Sequence, residues 1–319
     1  MATARRPQRE HVYETLVEDS SRWDRYVPRA GDIIISTPPK AGTTWTQMIC
    51  ALLVFQRTDF DRPLSEISPW FDFRPGDIDQ IVSDLDRQTH RRFIKTHTPL
   101  DGLPYFEEAT YLFCGRDPRD VFLSFLNHWD NTSDALRDQI RVASGIDPSQ
   151  LEVPTDAQEM FRTWMTVGAA PWMADGFPFG SVFHHAKSFW EFRELSNVHL
   201  LHYDDLKADL AGEMRALARR LGVDVDPALW PTLVAAASFE SMKADAGRLA
   251  PLAERGAWRD NRRFFHRGES GQWREALSPE SLALYERIVA ERIPPDLAAW
   301  IERGTRGVLD PKPAPRLPS

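Results

Sequence analysis

Two cysteines in 319 residues are too few for a disulfide framework. Both, Cys50 and Cys114, sit inside apolar segments, and a reducing compartment such as the cytoplasm fits them best. Long apolar runs are missing too. The longest, Met48 to Phe55, has 8 residues, where a membrane-spanning helix needs about 20. The first residues include arginines but no apolar stretch of the kind a secretory leader carries, so export is not expected. Nor is there a cationic excess. Lys+Arg number 39 against 47 Asp+Glu, for a net charge of −8, which argues against a nucleic-acid coat. Against these absences stand 42% apolar and 27% charged residues, ordinary globular proportions that can bury a core. Without repeats or low-complexity linkers, residues 1–306 are expected to form a single domain followed by a Pro-rich tail over 307–319.

The β-branched run Ile33-Ile34-Ile35-Ser36-Thr37 predicts a strand buried on both faces. Pro38 to Gly42 breaks regularity. Beyond it Trp45, Met48, Ile49, Leu52 and Phe55 recur at helical spacing, so a helix starts at Thr43 or Thr44. Strand-like segments return at Arg92–Thr96, Thr110–Cys114 and Val198–Tyr203. Asp117-Pro118 marks the start of a helix with Val121, Phe122, Phe125 and Trp129 on one face. The helix after Tyr203 is expected to carry Leu206, Leu210, Leu217 and Leu221 on one stripe, and Ser278-Pro279-Glu280 opens a late helix to about Ile293. Such alternation predicts an α/β fold, a mostly parallel sheet with helices on both faces. Residues 60–90 and 127–180 read instead as loop-rich, yet carry Trp70, Phe71, Phe73, Trp129, Trp164, Trp172, Phe177 and Phe179. They are either core under long loops or the wall and lid of an apolar acceptor pocket.

Ser36 to Trp45 lies between a strand and a helix N-terminus, where unpaired N–H groups and the positive end of the helix dipole face an anion. Gly42 permits close backbone approach, and the hydroxyls of Thr43 and Thr44 add donors. A Walker A loop places Lys after its last Gly and follows it with Ser or Thr. Here Lys40 precedes Gly42 and is followed by Ala41. The loop therefore suits a phosphate-like anion but not Mg-ATP.

Pro39-Lys40-Ala41-Gly42-Thr43-Thr44-Trp45 resembles the 5′-phosphosulfate loop of the sulfotransferases that use 3′-phosphoadenosine 5′-phosphosulfate (PAPS). Further segments match in the family's order: Lys95-Thr96-His97, then Gly115-Arg116-Asp117-Pro118-Arg119-Asp120-Val121 with Ser124. Tyr203-Asp204-Asp205-Leu206, Ser238 to Lys243 and Phe264 to Trp273 complete the set. The likeness runs from about 23 to 295, and Trp23–Phe55 and Arg91–Gly102 look closest to bacterial glycolipid and aryl sulfotransferases.

The resemblance implies a P-loop-like α/β fold with long substrate-covering loops. It also implies in-line sulfuryl transfer to a hydroxyl of a small, largely apolar acceptor: a phenol, a steroid-like alcohol or a glycolipid. It makes His97 the general base, Lys40 the stabiliser of the leaving oxygen and Lys95 a partner of the sulfuryl oxygens. It places Lys40, Ala41, Gly42, Thr43, Thr44 and Trp45 around the 5′ end of PAPS. Arg116, Ser124, His266, Arg267 and Gly268 fall near the 3′-phosphate, with Trp45, Phe239 and Tyr203 about the adenine. No metal, nucleic acid or transmembrane segment is implied. The chain departs from the family pattern at Ala237, where a hydroxyl to the adenine is expected to be missing, at His266 and at Gln272. A dimerisation motif is not legible in Arg274–Ala283, so the family's dimer is not predicted and the oligomeric state stays open. Two other readings stay open: a non-catalytic sensor of PAPS or its product, and a P-loop nucleotide kinase.

Overall fold

The computed structural model describes residues 5–145 and 154–306; the expected tail over 307–319 lies outside the described residues. Four strands, β1 (Ile33–Ser36), β2 (Phe93–Thr96), β3 (Thr110–Gly115) and β4 (Val198–His202), lie in the order β2-β1-β3-β4. All are parallel, with Ile33 opposite both Phe93 and Thr110, and Gly115 opposite His202. Before β2 come α1 (Thr43–Phe55), α2 (Leu64–Ile67) and α3 (Ile78–Arg87). Between β3 and β4 lie α4 (Pro118–Asn131), α5 (Asp134–Ser144), α6 (Ala157–Thr166) and α7 (Val182–Trp190). After β4 follow α8 (Tyr203–Ala208), α9 (Leu210–Leu221), α10 (Trp230–Ala236), α11 (Phe239–Ala244) and α12 (Ala246–Leu249). The last are α13 (Asn261–Phe264), α14 (Trp273–Ala276), α15 (Pro279–Arg292) and α16 (Pro295–Arg303).

Alternate strand residues enter two cores, which is why the strands read as continuous apolar runs. Ile34, Ile94, Tyr111 and Phe113 pack against α4, α6, α7, α15 and α16. On the opposite face Ile33, Ile35, Phe93, Leu112, Cys114 and Leu201 meet α1, α9, α10 and α12. Helices therefore cover both faces, as the alternation predicts. Among the described residues no helix is long and apolar enough to cross a membrane.

Strand order sets the place of the site. The chain leaves β1 toward β2 on one side, whereas β3 lies on the other side and leads away to β4. Connections departing in opposite directions open a crevice at the carboxyl ends of β1 and β3. The loop around Lys40 and the Arg116 side chain follow those two strand ends.

The structure corrects several boundaries. The loop-rich stretches 60–90 and 127–180 also carry helices, α2, α3, α5 and α6. Their short, strongly polar helices bury few residues each, Leu85 alone in α3 and Leu136, Ile140 and Ser144 in α5. The fourth strand ends at His202 because its side chain caps α8, so Tyr203 opens a helix. The leucine stripe spans two helices. Asp209 terminates α8 and caps α9 by accepting from the Gly212 N–H at 2.8 Å.

Candidate active site

Between Ser36 and Thr43 the backbone takes the left-handed conformation twice, at Lys40 (φ 71°) and Gly42 (φ 113°). Gly42 is the N-cap of α1 and has no side chain to cap it, so the orphan N–H groups of the first turn remain available to a ligand. A Cβ on Gly42 would stand 3.3 Å from both Cys114 Sγ and the Tyr203 ring. Glycine is thus needed for conformation and for space. Lys40 has no such excuse, and its left-handed backbone stores roughly 1–3 kcal/mol, a strain typical of functional loops.

Every residue singled out for the site except Ala41 lines one cavity of about 740 Å³. Ala41 is instead fully buried in the core beneath the loop. His97 lies just beyond the end of β2 and is 8% exposed. Its Nδ1 is 2.7 Å from the Thr37 carbonyl. A carbonyl only accepts, so Nδ1 carries the proton and Nε2 the free lone pair. Burial, reinforced by the nearby Lys95 ammonium, holds this imidazole well below its ordinary pKa and therefore neutral.

Three cations stand around it. Lys95 lies 4.0 Å over the Trp70 ring; burial lowers it to about 8, although Glu18 and Asp72 pull the other way. Lys40 donates to His128 Nδ1 at 3.2 Å and stacks 4.3 Å over Phe264. Enclosure, then repulsion from Arg116 and Lys95, brings it down to about 7. Arg116 rests 4.1 Å over Tyr203 and donates to the carbonyls of Lys40 and Glu269, each at 3.1 Å, while its buried Nε has no partner. Among the described residues, the contacts these cations make are to rings, backbone carbonyls and one imidazole. Cations gathered in this way are set to receive an anion from outside.

One part of the cavity is walled by Trp45, Tyr203 and Phe239. The Trp45 indole N–H donates to the Ala237 carbonyl at 2.8 Å, which fixes the ring through the backbone of the residue whose side chain lacks a hydroxyl. Gly268 has φ 67°, and a Cβ there would come within 2.7 Å of the Phe239 ring. Asp120 ties this segment to α4 by accepting from the Gly271 N–H at 2.7 Å. Ser124 lies four residues further along the same helix. His266 and Arg267 stand exposed at the rim rather than deep in the site. Partial burial and the neighbouring Arg267 push His266 below its usual pKa.

The opposite end is apolar. Trp70, Phe73, Trp129 and Phe179, four of the aromatics noted in the long connections, line it. Phe71 and Trp164 are buried in the core, Phe177 is half-buried away from the cavity, and Trp172 is exposed, stacked on His11 at 4.2 Å. Sequence reasoning missed Val17, His128, Leu136, Ile140, Leu252 and Trp258, which complete the walls. For His128 a signal existed, because it lies four residues after Ser124 on one helix face.

Residues 30–294 match the family model described as "Sulfotransferase domain". The chain is 40% identical over 315 residues to a glycolipid sulfotransferase of Mycobacterium bovis (strain BCG / Pasteur 1173P2), covering 93% of this chain and 95% of that protein. The fold is similar to that of a mouse sulfotransferase complexed with PAP, with TM-score 0.64, 20% identity and coverage of 86% of this chain and 88% of that one. It is also similar to retinol dehydratase in complex with androsterone and PAP, with TM-score 0.68, 20% identity and coverage of 88% and 86%.

Proposed function

The chain belongs to the sulfotransferase family, and from that premise we propose that it moves a sulfuryl group from PAPS to a hydroxyl of a small, lipid-like acceptor. One observation carries the reading. A neutral imidazole with a free Nε2, His97, stands where the cationic end of the cavity meets its apolar end. A donor anion and a greasy alcohol brought into the two ends meet at that base.

The donor fits what the cationic end offers. The first-turn N–H groups of α1 and the Lys40 ammonium would take the phosphosulfate. The Arg116 guanidinium, whose Nε is orphaned, and the Ser124 hydroxyl would take the 3′-phosphate. The Arg267 side chain and Gly268 N–H would close that site from the rim. Trp45 and Phe239 would flank the adenine, with the Tyr203 hydroxyl at its edge.

In the transfer, the acceptor oxygen bonds to sulfur as the bond from sulfur to the phosphate oxygen breaks. The acceptor's proton passes to His97 Nε2, and the leaving oxygen's new charge falls to Lys40 and the loop N–H groups. Lys95 would steady the three sulfuryl oxygens. A positioned base is worth about 10²–10⁴ in rate, and donors aimed at developing charge about 10²–10³.

The acceptor reading is supported by the aromatic and aliphatic walls, and by relatives named as glycolipid sulfotransferases. The test is transfer of labelled sulfate from PAPS to glycolipids, sterols and simple phenols. Turnover is expected with an amphiphile that carries one accessible hydroxyl. Tight binding of adenosine 3′,5′-bisphosphate without transfer to any acceptor would favour the sensor instead, and dependence on Mg-ATP the kinase.

A further inference from the structure

Along α4 the side chains of Asp120, Ser124 and His128 face the cavity at intervals of four residues, beside the buried Val121, Phe122 and Phe125. Asp120 holds the Gly271 N–H and Ser124 falls in the nucleotide site. His128 has no part in the transfer scheme. Its ring sits in an aromatic corner, 4.6 Å from the Trp258 ring centre and 5.8 Å from that of Phe264. Its Nδ1 is 3.2 Å from Lys40 Nζ. An ammonium can only donate, so Nδ1 accepts and the ring proton sits on Nε2.

We propose that His128 is a positioning residue for Lys40: in the nucleotide-free protein its imidazole accepts from the Lys40 ammonium, holds the head group over Phe264, and keeps it charged until an anionic donor takes its place. The proposal rests on the PAPS reading only for the identity of that anion. An enclosed ammonium with no acceptor sheds its proton, since enclosure penalises the charged form. The charged and titratable groups lining the same cavity come from every side. Lys95 reaches it from β2, His97 from just beyond that strand, Arg116 from the end of β3, Asp120 from α4 itself, Tyr203 from α8, and Arg274 and Glu275 from α14. His266, Arg267 and Glu269 come from the glycine-rich segment. Arg116 and Lys95 repel the charge on Lys40. Asp120 is engaged by the Gly271 N–H, and His97 donates its Nδ1–H to the Thr37 carbonyl. The imidazole lone pair of His128 and the face of Phe264 are what favour the ammonium. Because Phe264 leads into the glycine-rich segment, the resting Lys40 also touches that segment.

The chain has six lysines, so protein labelled with ¹³C at lysine Cε yields a spectrum simple enough to follow Lys40 directly, assigned with Lys40→Arg. In nucleotide-free protein the Lys40 midpoint should fall by about one pH unit in His128→Phe, a tenfold loss of the ammonium fraction above that midpoint. It should return toward the wild-type value in His128→Gln, which restores an acceptor, while the Lys95 midpoint stays in place. At pH 8 the His128→Phe enzyme should show a several-fold higher KM for PAPS and an unchanged kcat, because the bound donor replaces His128 as Lys40's partner. In the wild type itself, the ¹⁵N signal of His128 Nδ1 should move at the Lys40 midpoint, a readout independent of how any variant folds. A Lys40 midpoint equal in His128→Phe and wild type, or a His128 signal indifferent to Lys40, overturns the proposal. If the titrations behave as described but no acceptor is sulfated, the role of His128 stands and the proposed sulfuryl transfer falls.

Discussion

At the scale of single residues, the account turns on one tautomer. The Thr37 carbonyl accepts a hydrogen bond from the protonated Nδ1 of His97 and leaves Nε2 as the base, with the ring kept neutral by burial and by Lys95. His97→Ala should lower kcat by about 10²–10⁴ and leave the dissociation constant of adenosine 3′,5′-bisphosphate unchanged, because the imidazole meets the acceptor and not the nucleotide. Steady-state kinetics and calorimetry on the same preparation check both halves. Most of these residues were legible through the resemblance to the family, whose motifs Lys40, Lys95, His97 and Arg116 match at or near the ends of predicted strands. Trp258 was not, and His128 showed only as a residue one helical turn past Ser124. A histidine near the end of a helix, and a tryptophan 130 positions away from it, become neighbours only once the chain has closed the cavity.

At the scale of elements, two turns decide the shape of the nucleotide site. Gly42 starts α1 in a left-handed conformation, and Gly268 lets the Phe239 ring lie flat against the backbone. Gly268→Ala puts a methyl group within 2.7 Å of that ring on a backbone of φ 67°. The strain of roughly 1–3 kcal/mol should weaken bisphosphate binding by tenfold or more while leaving apolar acceptors unaffected. Calorimetric titration reads it directly. The strands were legible as short continuous apolar runs, and the long helices α1, α4 and α15 because they run far enough for their periodicity to show. The short helices α3 and α5 were hidden by charge, although Asp77 and Ser133 cap them and Leu136 and Ile140 lie one turn apart in α5. The break between α8 and α9 was hidden differently, since leucines continue through it and only Asp209 marks the new cap.

At the scale of the whole molecule, an acidic chain has to concentrate positive charge in one crevice to hold a polyanion. The strand order β2-β1-β3-β4 does this by bringing the ends of β1, β2 and β3 together. That order is absent from the local sequence, which shows alternation but not which strand pairs with which. A pH dependence follows from the enclosure of the cations. Lys40 in the free protein stands at about 7, and a bound anion favours its protonated form. The complex therefore binds more protons than its separated parts, and bisphosphate affinity should fall as pH rises above that value. The fall should approach tenfold per pH unit at most. Dissociation constants measured between about pH 6.5 and 8.5 should trace it, and Lys40→Met should remove the part that Lys40 supplies. The most direct measurement is a crystal structure with adenosine 3′,5′-bisphosphate. The 5′-phosphate should lie on the first-turn N–H groups of α1 beside Lys40, the 3′-phosphate on Arg116 and Ser124, and the adenine between Trp45 and Phe239, leaving His97 Nε2 open toward the apolar half of the cavity. A nucleotide bound in the opposite sense, with its 5′ end remote from Lys40 and His97, would contradict the account.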